Sequence, residues 1–201
     1  MKTLMLIFEL LGTVAFAASG AAAAMQHGLD LFGVAVLGMT TAVGGGIIRD
    51  LILDIVPPTA FTQPIYALVA IAVALICFLK PVRPHIREDQ KAMLFLDTLG
   101  LAVFTISGAR LGGTIPGANG FLMVFVGVLS GIGGGILRDL FVGRKPVVFV
   151  KHFYACASLA GALVYVLLRL ILSETVALMA GAVVVVLLRV MAARYRWELP
   201  R

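Results

Sequence analysis

Long stretches without a charged residue dominate the chain and set its predicted helices. The uncharged stretches cover residues 10–29, 31–48, 55–79, 111–137, 152–168 and 175–188. A further apolar stretch runs from about residue 92 to Arg110 and contains one acid, Asp97. A helix that crosses a bilayer needs about 20 predominantly apolar residues. The pattern therefore predicts seven membrane-spanning helices, at about 4–25, 30–53, 61–80, 92–111, 119–142, 150–172 and 175–194.

Composition supports a membrane protein and excludes most soluble classes. Hydrophobic residues make up 61% and charged residues 13% of the 201 residues, and the mean hydropathy is +1.08. Soluble domains carry about 45–50% apolar and about 25% charged residues. The polar surface that a soluble enzyme or a nucleic-acid-binding module needs is therefore missing. We expect an all-α polytopic membrane protein, with residues 1–201 forming a single transmembrane domain.

The basic residues orient the predicted helices. The net charge is +6, from 16 Lys and Arg against 10 Asp and Glu. Basic residues lie between spans three and four (Lys80, Arg83, Arg87, Lys91), between spans five and six (Arg144, Lys145, Lys151) and after span seven (Arg189, Arg194, Arg196, Arg201). Cytoplasmic loops carry an excess of Lys and Arg, so this pattern predicts the N-terminus outside and the C-terminus in the cytoplasm. The first cluster would also suit anionic lipid, although topology alone explains it.

The chain repeats itself at a register of 88 or 89 residues. Residues 12–21 match 100–109, residues 44–51 match 133–140, and residues 58–67 match 146–155. The strongest block is Gly-Gly-Gly-Ile-x-Arg-Asp, which occurs in both halves.

Each repeat, about 4–80 and about 92–172, holds three predicted spans. Because three is odd, the second repeat enters the membrane upside down relative to the first, as in transporters built from inverted repeats. The span at about 175–194 lies outside the repeat and is interpreted as a packing or oligomer element.

Two glycine triplets form the first candidate site. They are Gly44, Gly45 and Gly46 in span two, and Gly133, Gly134 and Gly135 in span five. Glycine is less favourable than alanine in a helix by about 1 kcal/mol, so the triplets predict unwound or kinked helices near mid-membrane. Freed carbonyls must face protein or a wet cavity, which predicts a pore or binding site. Close helix packing is the alternative, because small residues recur every four positions.

Thr41 and Ser130 lie one turn or less before the glycines. Their hydroxyls are predicted either to line the cavity or to bond the carbonyls of the preceding turn.

Arg49-Asp50 and Arg138-Asp139 follow the triplets in the two halves. Ionisable groups at membrane depth indicate a functional site, such as a gate, but structural ion pairing is an equal alternative. Adjacent helix residues do not face each other, so Arg49 is expected to pair across helices and not with Asp50.

Further polar residues match between the halves. Glu9 and Asp97 precede the first helix core of each repeat and are predicted to be solvated or paired near an interface. Tyr66 and Tyr154 also correspond and are interpreted as core aromatics or gate residues.

The duplicated Gly-Gly-Gly-Ile-x-Arg-Asp block, inverted three-span repeats and a seventh span resemble the trimeric intracellular cation (TRIC) channel family. The compact loops and short tail fit a prokaryotic member, in the cell membrane. The resemblance implies a homotrimer in which each protomer carries a pore for monovalent cations, chiefly potassium. It assigns both glycine triplets to pore bends in helices two and five, with the Arg-Asp pairs beside them. It implies no cofactor other than potassium or sodium as permeant ion.

Two functions therefore remain open from the sequence. The first is a passive cation channel, in which exposed carbonyls replace part of the ion's water shell. The second is a carrier for a small zwitterion such as glycine, at the same broken helices. A scaffold would not explain inverted repeats with broken helices, and an enzyme would need a nucleophile–base or metal cluster, which is not visible in the sequence. Nucleic-acid binding is not expected.

Overall fold

The computed structural model describes residues 2–79, 82, 90–150 and 153–197. All regular secondary structure within these ranges is helical, as predicted. The helices are α1 (Lys2–Gln26), α2 (Leu31–Ile52), α3 (Thr59–Thr62), α4 (Ile65–Phe78), α5 (Gln90–Gly112), α6 (Gly120–Phe141), α7 (Val147–Val150), α8 (Tyr154–Leu168) and α9 (Glu174–Tyr195). Predicted loop residues Lys80, Arg83, Arg87, Lys151 and Arg201 lie outside the described ranges.

Five of the described helices, α1, α2, α5, α6 and α9, are long and apolar enough to cross a membrane. Helices α4 and α8, at the places of predicted spans three and six, have only 14 and 15 residues. At 1.5 Å per residue they reach about 21–23 Å, short of a hydrocarbon core of about 30 Å. These two spans are therefore shorter than predicted.

Backbone breaks explain the two short helices. A one-turn helix, α3 or α7, stands before each of them. Pro64, which has no backbone N–H, separates α3 from α4, and Phe153 lies between α7 and α8 with a left-handed φ of 51°. Both features prevent the hydrogen-bond ladder from continuing through the junction.

The sequence repeat is also a structural repeat at the helix ends. Asp30 caps α2 by accepting a hydrogen bond from Gly33 N at 2.8 Å, and Asn119 caps α6 by accepting one from Leu122 N at 2.8 Å. A side-chain oxygen at this position satisfies an N–H group that the helix leaves unpaired. The two helices thus begin by the same device, at matched positions of the repeat.

The two halves pack in matching ways. Helices α1, α2 and α4 contact one another, as do α5, α6 and α8. The halves join through α1 against α5 and through α2 against α6, and α9 packs on α5 and α8. At this junction the matched rings of Phe16 and Phe104 stack, with centroids 5.4 Å apart. One part of the buried core therefore lies between the halves, and another lies within the first half.

Helices α2 and α6 run through the glycine triplets without interruption. The predicted unwinding is therefore wrong. Unpaired backbone groups in a membrane cost several kcal/mol each, whereas glycine costs about 1 kcal/mol relative to alanine, so keeping the hydrogen bonds is favoured.

Candidate functional site

The glycine triplets meet where α2 and α6 cross. A Cβ added to Gly45 would lie 3.0 Å from Gly134 N and would overlap Ser130 O. A Cβ added to Gly134 would overlap Thr41 O, and one added to Gly133 would lie 3.0 Å from the Cα of Gly45. Residues without a side chain are thus required for this approach, which is the packing role of small residues in membrane helices.

The hydroxyls before the triplets are used differently. Thr41 Oγ1 donates to Leu37 O at 2.7 Å, so it bonds the preceding turn of its own helix. Ser130 Oγ is buried and has no hydrogen-bond partner among the described residues. A polar cavity opens beside the C-terminal end of α2, and neither of these two side chains borders it. Their predicted role in lining a pathway stays a prediction.

Arg49 pairs with its neighbour in the first half. Its Nε donates to Asp50 Oδ1 at 2.8 Å, and its Nη2 lies 2.7 Å from the same oxygen. Asp50 Oδ2 accepts from Thr59 N at 2.7 Å, at the start of α3. The expected cross-helix partner of Arg49 is therefore wrong. The arginine stem is long enough to fold along the helix to a carboxylate that the α3 backbone holds in place.

The second half repeats this arrangement and adds to it. Arg138 Nε donates to Asp139 Oδ1 at 2.9 Å, and Asp139 Oδ2 accepts from Val147 N at 2.8 Å, at the start of α7. Arg144 Nη2 also donates to Asp139 Oδ1, at 2.7 Å. In both halves, the aspartate fixes the helix end to the one-turn helix that follows.

Arg138 also reaches across helices, unlike Arg49. Its Nη1 donates to Asp97 Oδ1 at 2.5 Å and to Ser19 Oγ at 2.6 Å. Arg138 is only 1% exposed and Asp97 5%. Asp97 is therefore buried and paired. Of the two alternatives that the sequence left open, solvated or paired, the second applies to this residue. This cluster ties α6 to α5 and α1.

Helix α9 contributes a further cation to the same cluster. Arg189 is 2% exposed, its Nη2 lies 3.9 Å from Asp97 Oδ2, and its Cζ lies 4.7 Å from the ring centroid of Tyr154. The sequence placed Arg189 after span seven, which is wrong, because the residue lies within α9. Helix α9 continues to Tyr195, and a buried carboxylate and an aromatic face accommodate the charge.

A polar cavity of about 200 Å³ opens beside the C-terminal end of α2. Its polar lining comes from α1, α2, α3, α4 and α5, and from Gln63 between α3 and α4. The charged or hydroxyl-bearing residues of this lining are Glu9, Thr13, Arg49, Asp50, Thr59, Tyr66, Ser107 and Arg110. Intramembrane ionisable groups around a cavity mark a functional site.

The charges around the cavity are partly paired. Arg49 is bound to Asp50, and Arg110 Nε donates to Glu174 Oε1 at 2.9 Å. Glu9 Oε2 accepts from the hydroxyl of Tyr66 at 2.6 Å. Each arginine thus has a carboxylate partner, while the recorded contact of Glu9 is with a neutral group.

The outer glycines have separate surroundings. Gly46 borders the cavity. A Cβ on Gly44 would overlap Leu137, and one on Gly135 would lie 2.9 Å from the hydroxyl of Tyr154. The structure therefore brings one triplet residue to the cavity edge and buries the others against protein.

Several site residues were missed by the sequence reasoning. Ser19 and Ser107 were part of a matched repeat block, and their equal places in the two halves were a usable signal. Arg110 and Glu174 carried no comparable signal, because their pairing depends on how α9 packs against α5.

A family model described as "Glycine transporter" matches residues 6–81 and 94–170. A UPF0126 membrane protein of Deinococcus radiodurans is 42% identical over 156 residues, covering 77% of this chain and 71% of the relative. The inner membrane protein YadS of Escherichia coli is 37% identical over 158 residues, covering 78% and 75% of the two chains. The chain belongs to this bacterial TRIC-like family.

Solved structures of TRIC proteins agree with this membership. A TRIC cation channel studied for its conductance superposes with a TM-score of 0.87 at 38% identity, covering 97% of this chain and 95% of the other. The TRIC orthologue of Rhodobacter sphaeroides gives 0.89 at 32% identity, covering 97% and 100%. This TRIC-like chain is therefore an integral membrane protein with the fold of prokaryotic TRIC channels.

Proposed function

We propose that this chain is a passive channel for monovalent cations, chiefly potassium, with a pathway through each protomer between α2 and α6. The polar cavity beside α2 is the observation that carries the proposal, because it brings polar and charged groups into an otherwise apolar bundle. The similar solved structures belong to TRIC cation channels.

The proposed pathway continues from the cavity past Gly46 to the crossing of Gly45 and Gly134. At the crossing the backbones are too close for a Cβ, and so for an ion. On the far side stands Arg138, bound to Asp97 and Ser19. Conduction then requires α2 and α6 to separate and Arg138 to move, so the described conformation is closed.

The assembly and orientation belong to the same proposal. One similar structure is described as a trimeric channel, and we propose that this chain forms homotrimers. The seven proposed spans are two inverted repeats of three spans each and α9. In this arrangement the N-terminus is outside and the C-terminus is cytoplasmic. Under this orientation the cavity faces outward and the Arg138 cluster faces the cytoplasm. Native mass spectrometry and cysteine labelling of the two termini test these statements.

A glycine carrier is the second candidate function. The matching family model is described as a glycine transporter. The cavity also holds groups of both signs, with Glu9 and Asp50 against Arg49 and Arg110, which suits a zwitterion. In a carrier, the Arg49–Asp50 pair and the Arg138 cluster would close the two sides of the membrane in turn.

A planar-bilayer recording of the purified protein in a potassium gradient separates the two functions. Discrete currents that reverse near the potassium potential support the channel. A silent bilayer with saturable glycine uptake into liposomes of the same preparation supports the carrier and rejects the channel. Protein-free membranes and liposomes provide the control for leak.

A further inference from the structure

The internal repeat allows the two halves of the molecule to be compared as copies of one site. In the second half, one guanidinium nitrogen of Arg138 lies between the carboxylate of Asp97 and the hydroxyl of Ser19, at 2.5 and 2.6 Å. The matched residues of the first half are Glu9 and Ser107. A carboxylate and a serine hydroxyl therefore recur at equivalent places.

The first-half copy has no arginine in that position. Arg49 forms its ion pair with Asp50. Within the described residues, no hydrogen bond or ion pair joins Arg49 to Glu9 or Ser107. Glu9 and Ser107 instead both border the cavity.

Ser107 provides an independent sign of a missing partner. It is 2% exposed, and its Oγ has no hydrogen-bond partner among the described residues. A buried hydroxyl without a partner is unfavourable by about 1–3 kcal/mol, so such groups normally serve a ligand or water. The matched hydroxyl of Ser19 shows what this position binds, because there it accepts from a cationic N–H.

The charge balance also points to a single positive ligand. Arg49 and Arg110 each have a carboxylate partner, in Asp50 and Glu174. Glu9 accepts one hydrogen bond from the neutral hydroxyl of Tyr66. Of the two carboxylates that line the cavity, Glu9 is thus the one that has no ion pair within the described ranges.

We propose that Glu9 and Ser107 form a binding site for a small monovalent cationic group, which occupies the place that the Arg138 guanidinium nitrogen takes in the other half. The ligand is an alkali ion or the primary ammonium of a small molecule. Both are attracted by a carboxylate. The hydroxyl oxygen can coordinate an alkali ion, and it can accept a hydrogen bond from an ammonium group. The inference rests on the proposed function in that the cavity is taken as the entrance to the pathway.

Thermal unfolding of the purified protein in detergent tests the site without requiring transport. The Tm is measured against potassium chloride, methylammonium chloride and glycine, with N-methylglucamine chloride holding the ionic strength constant. A ligand that binds the folded state raises the Tm in a saturable way. Ser107→Ala and Glu9→Gln are expected to raise the half-saturating concentration by about ten- to a hundredfold, the equivalent of one hydrogen bond to a charged group.

Two variants keep this test interpretable. Thr13→Val removes a hydroxyl from the same cavity, but that hydroxyl already donates to Glu9 O at 2.9 Å, so the half-saturating concentration should stay unchanged. Tyr66→Phe removes the competing donor from Glu9 and should lower that concentration. This second variant retains both proposed ligands, so it tests the site even where Glu9→Gln or Ser107→Ala does not fold.

The outcomes separate the ligand sources and the two proposals. A rise of the Tm with potassium identifies an alkali ion as the ligand. A rise of the Tm with methylammonium and glycine, but not with potassium, identifies an ammonium group. Both results support the site. Saturation curves that are equal in wild type, Ser107→Ala and Tyr66→Phe overturn it, even if the protein conducts potassium. A protein that shows the predicted shifts but carries no current retains the site and rejects the channel.

Discussion

Arg138 donates to Ser19 Oγ at 2.6 Å although the two residues belong to different halves of the chain. The contact joins α6 to α1 on the side of the helix crossing away from the cavity. Because Asp97 on α5 binds the same guanidinium nitrogen, three helices are held by one buried cation. We interpret this cluster as the closed side of the proposed pathway.

Removing the negative charge of this cluster should destabilise the protein strongly. Asp97→Asn leaves Arg138 buried with one carboxylate fewer, and breaking a buried ion pair costs about 3–5 kcal/mol. We expect a loss of this size in the free energy of unfolding, measured by titration with sodium dodecyl sulfate in mixed micelles.

Glu174→Gln is the matched control, since its pair with Arg110 has side chains 33% and 27% exposed. This pair is only half-buried, and exposed pairs contribute about 0–1 kcal/mol, so Glu174→Gln should lose clearly less stability than Asp97→Asn. Equal losses in the two variants would contradict a special role for the buried cluster.

The helix crossing should reject any side chain at Gly134. Gly134→Ala places a Cβ against Thr41 O. Overpacking of a close contact costs about 1–3 kcal/mol, which exceeds the gain in helix propensity. The same unfolding titration should therefore show a less stable protein.

Gly46→Ala provides a control within the first triplet. The nearest atom to its new Cβ is Arg49 Nη2 at 3.5 Å, an ordinary contact. This variant should match or exceed wild-type stability. A Gly134→Ala protein as stable as Gly46→Ala would show that α2 and α6 do not cross closely in the membrane.

Arg189 should hold the proposed pathway closed. Arg189→Gln removes the cation over the Tyr154 ring and near Asp97. A desolvated cation–π contact contributes about 2 kcal/mol, so the open probability in planar bilayers should rise by up to about thirtyfold.

The exposed Arg194 serves as the control on the same helix, where it lies 6.0 Å from the ring centroid of Tyr195. Arg194→Gln should leave the open probability unchanged. An unchanged open probability in Arg189→Gln, with normal unfolding behaviour, would assign Arg189 to packing alone.

Much of the helix plan could be predicted from the sequence, because apolar length and helix caps are local properties. The predicted spans around α2 and α6 agree with Leu31–Ile52 and Gly120–Phe141 to within about one residue at each end. The short spans were not predicted, because hydropathy does not register the backbone breaks at Pro64 and Phe153.

The sequence by itself determined the membrane class, the internal repeat and the residue types that recur at matched places. Burial of apolar helices in lipid depends on composition, and a duplicated block is visible in the letters alone. Only the tertiary structure decided that the triplets stay helical, that Arg49 folds onto Asp50 while Arg138 reaches Ser19, and that α9 inserts Arg189 into one half. These outcomes differ between nearly identical motifs, because each depends on which neighbouring helix supplies a partner in a medium where an unpaired charge is unfavourable.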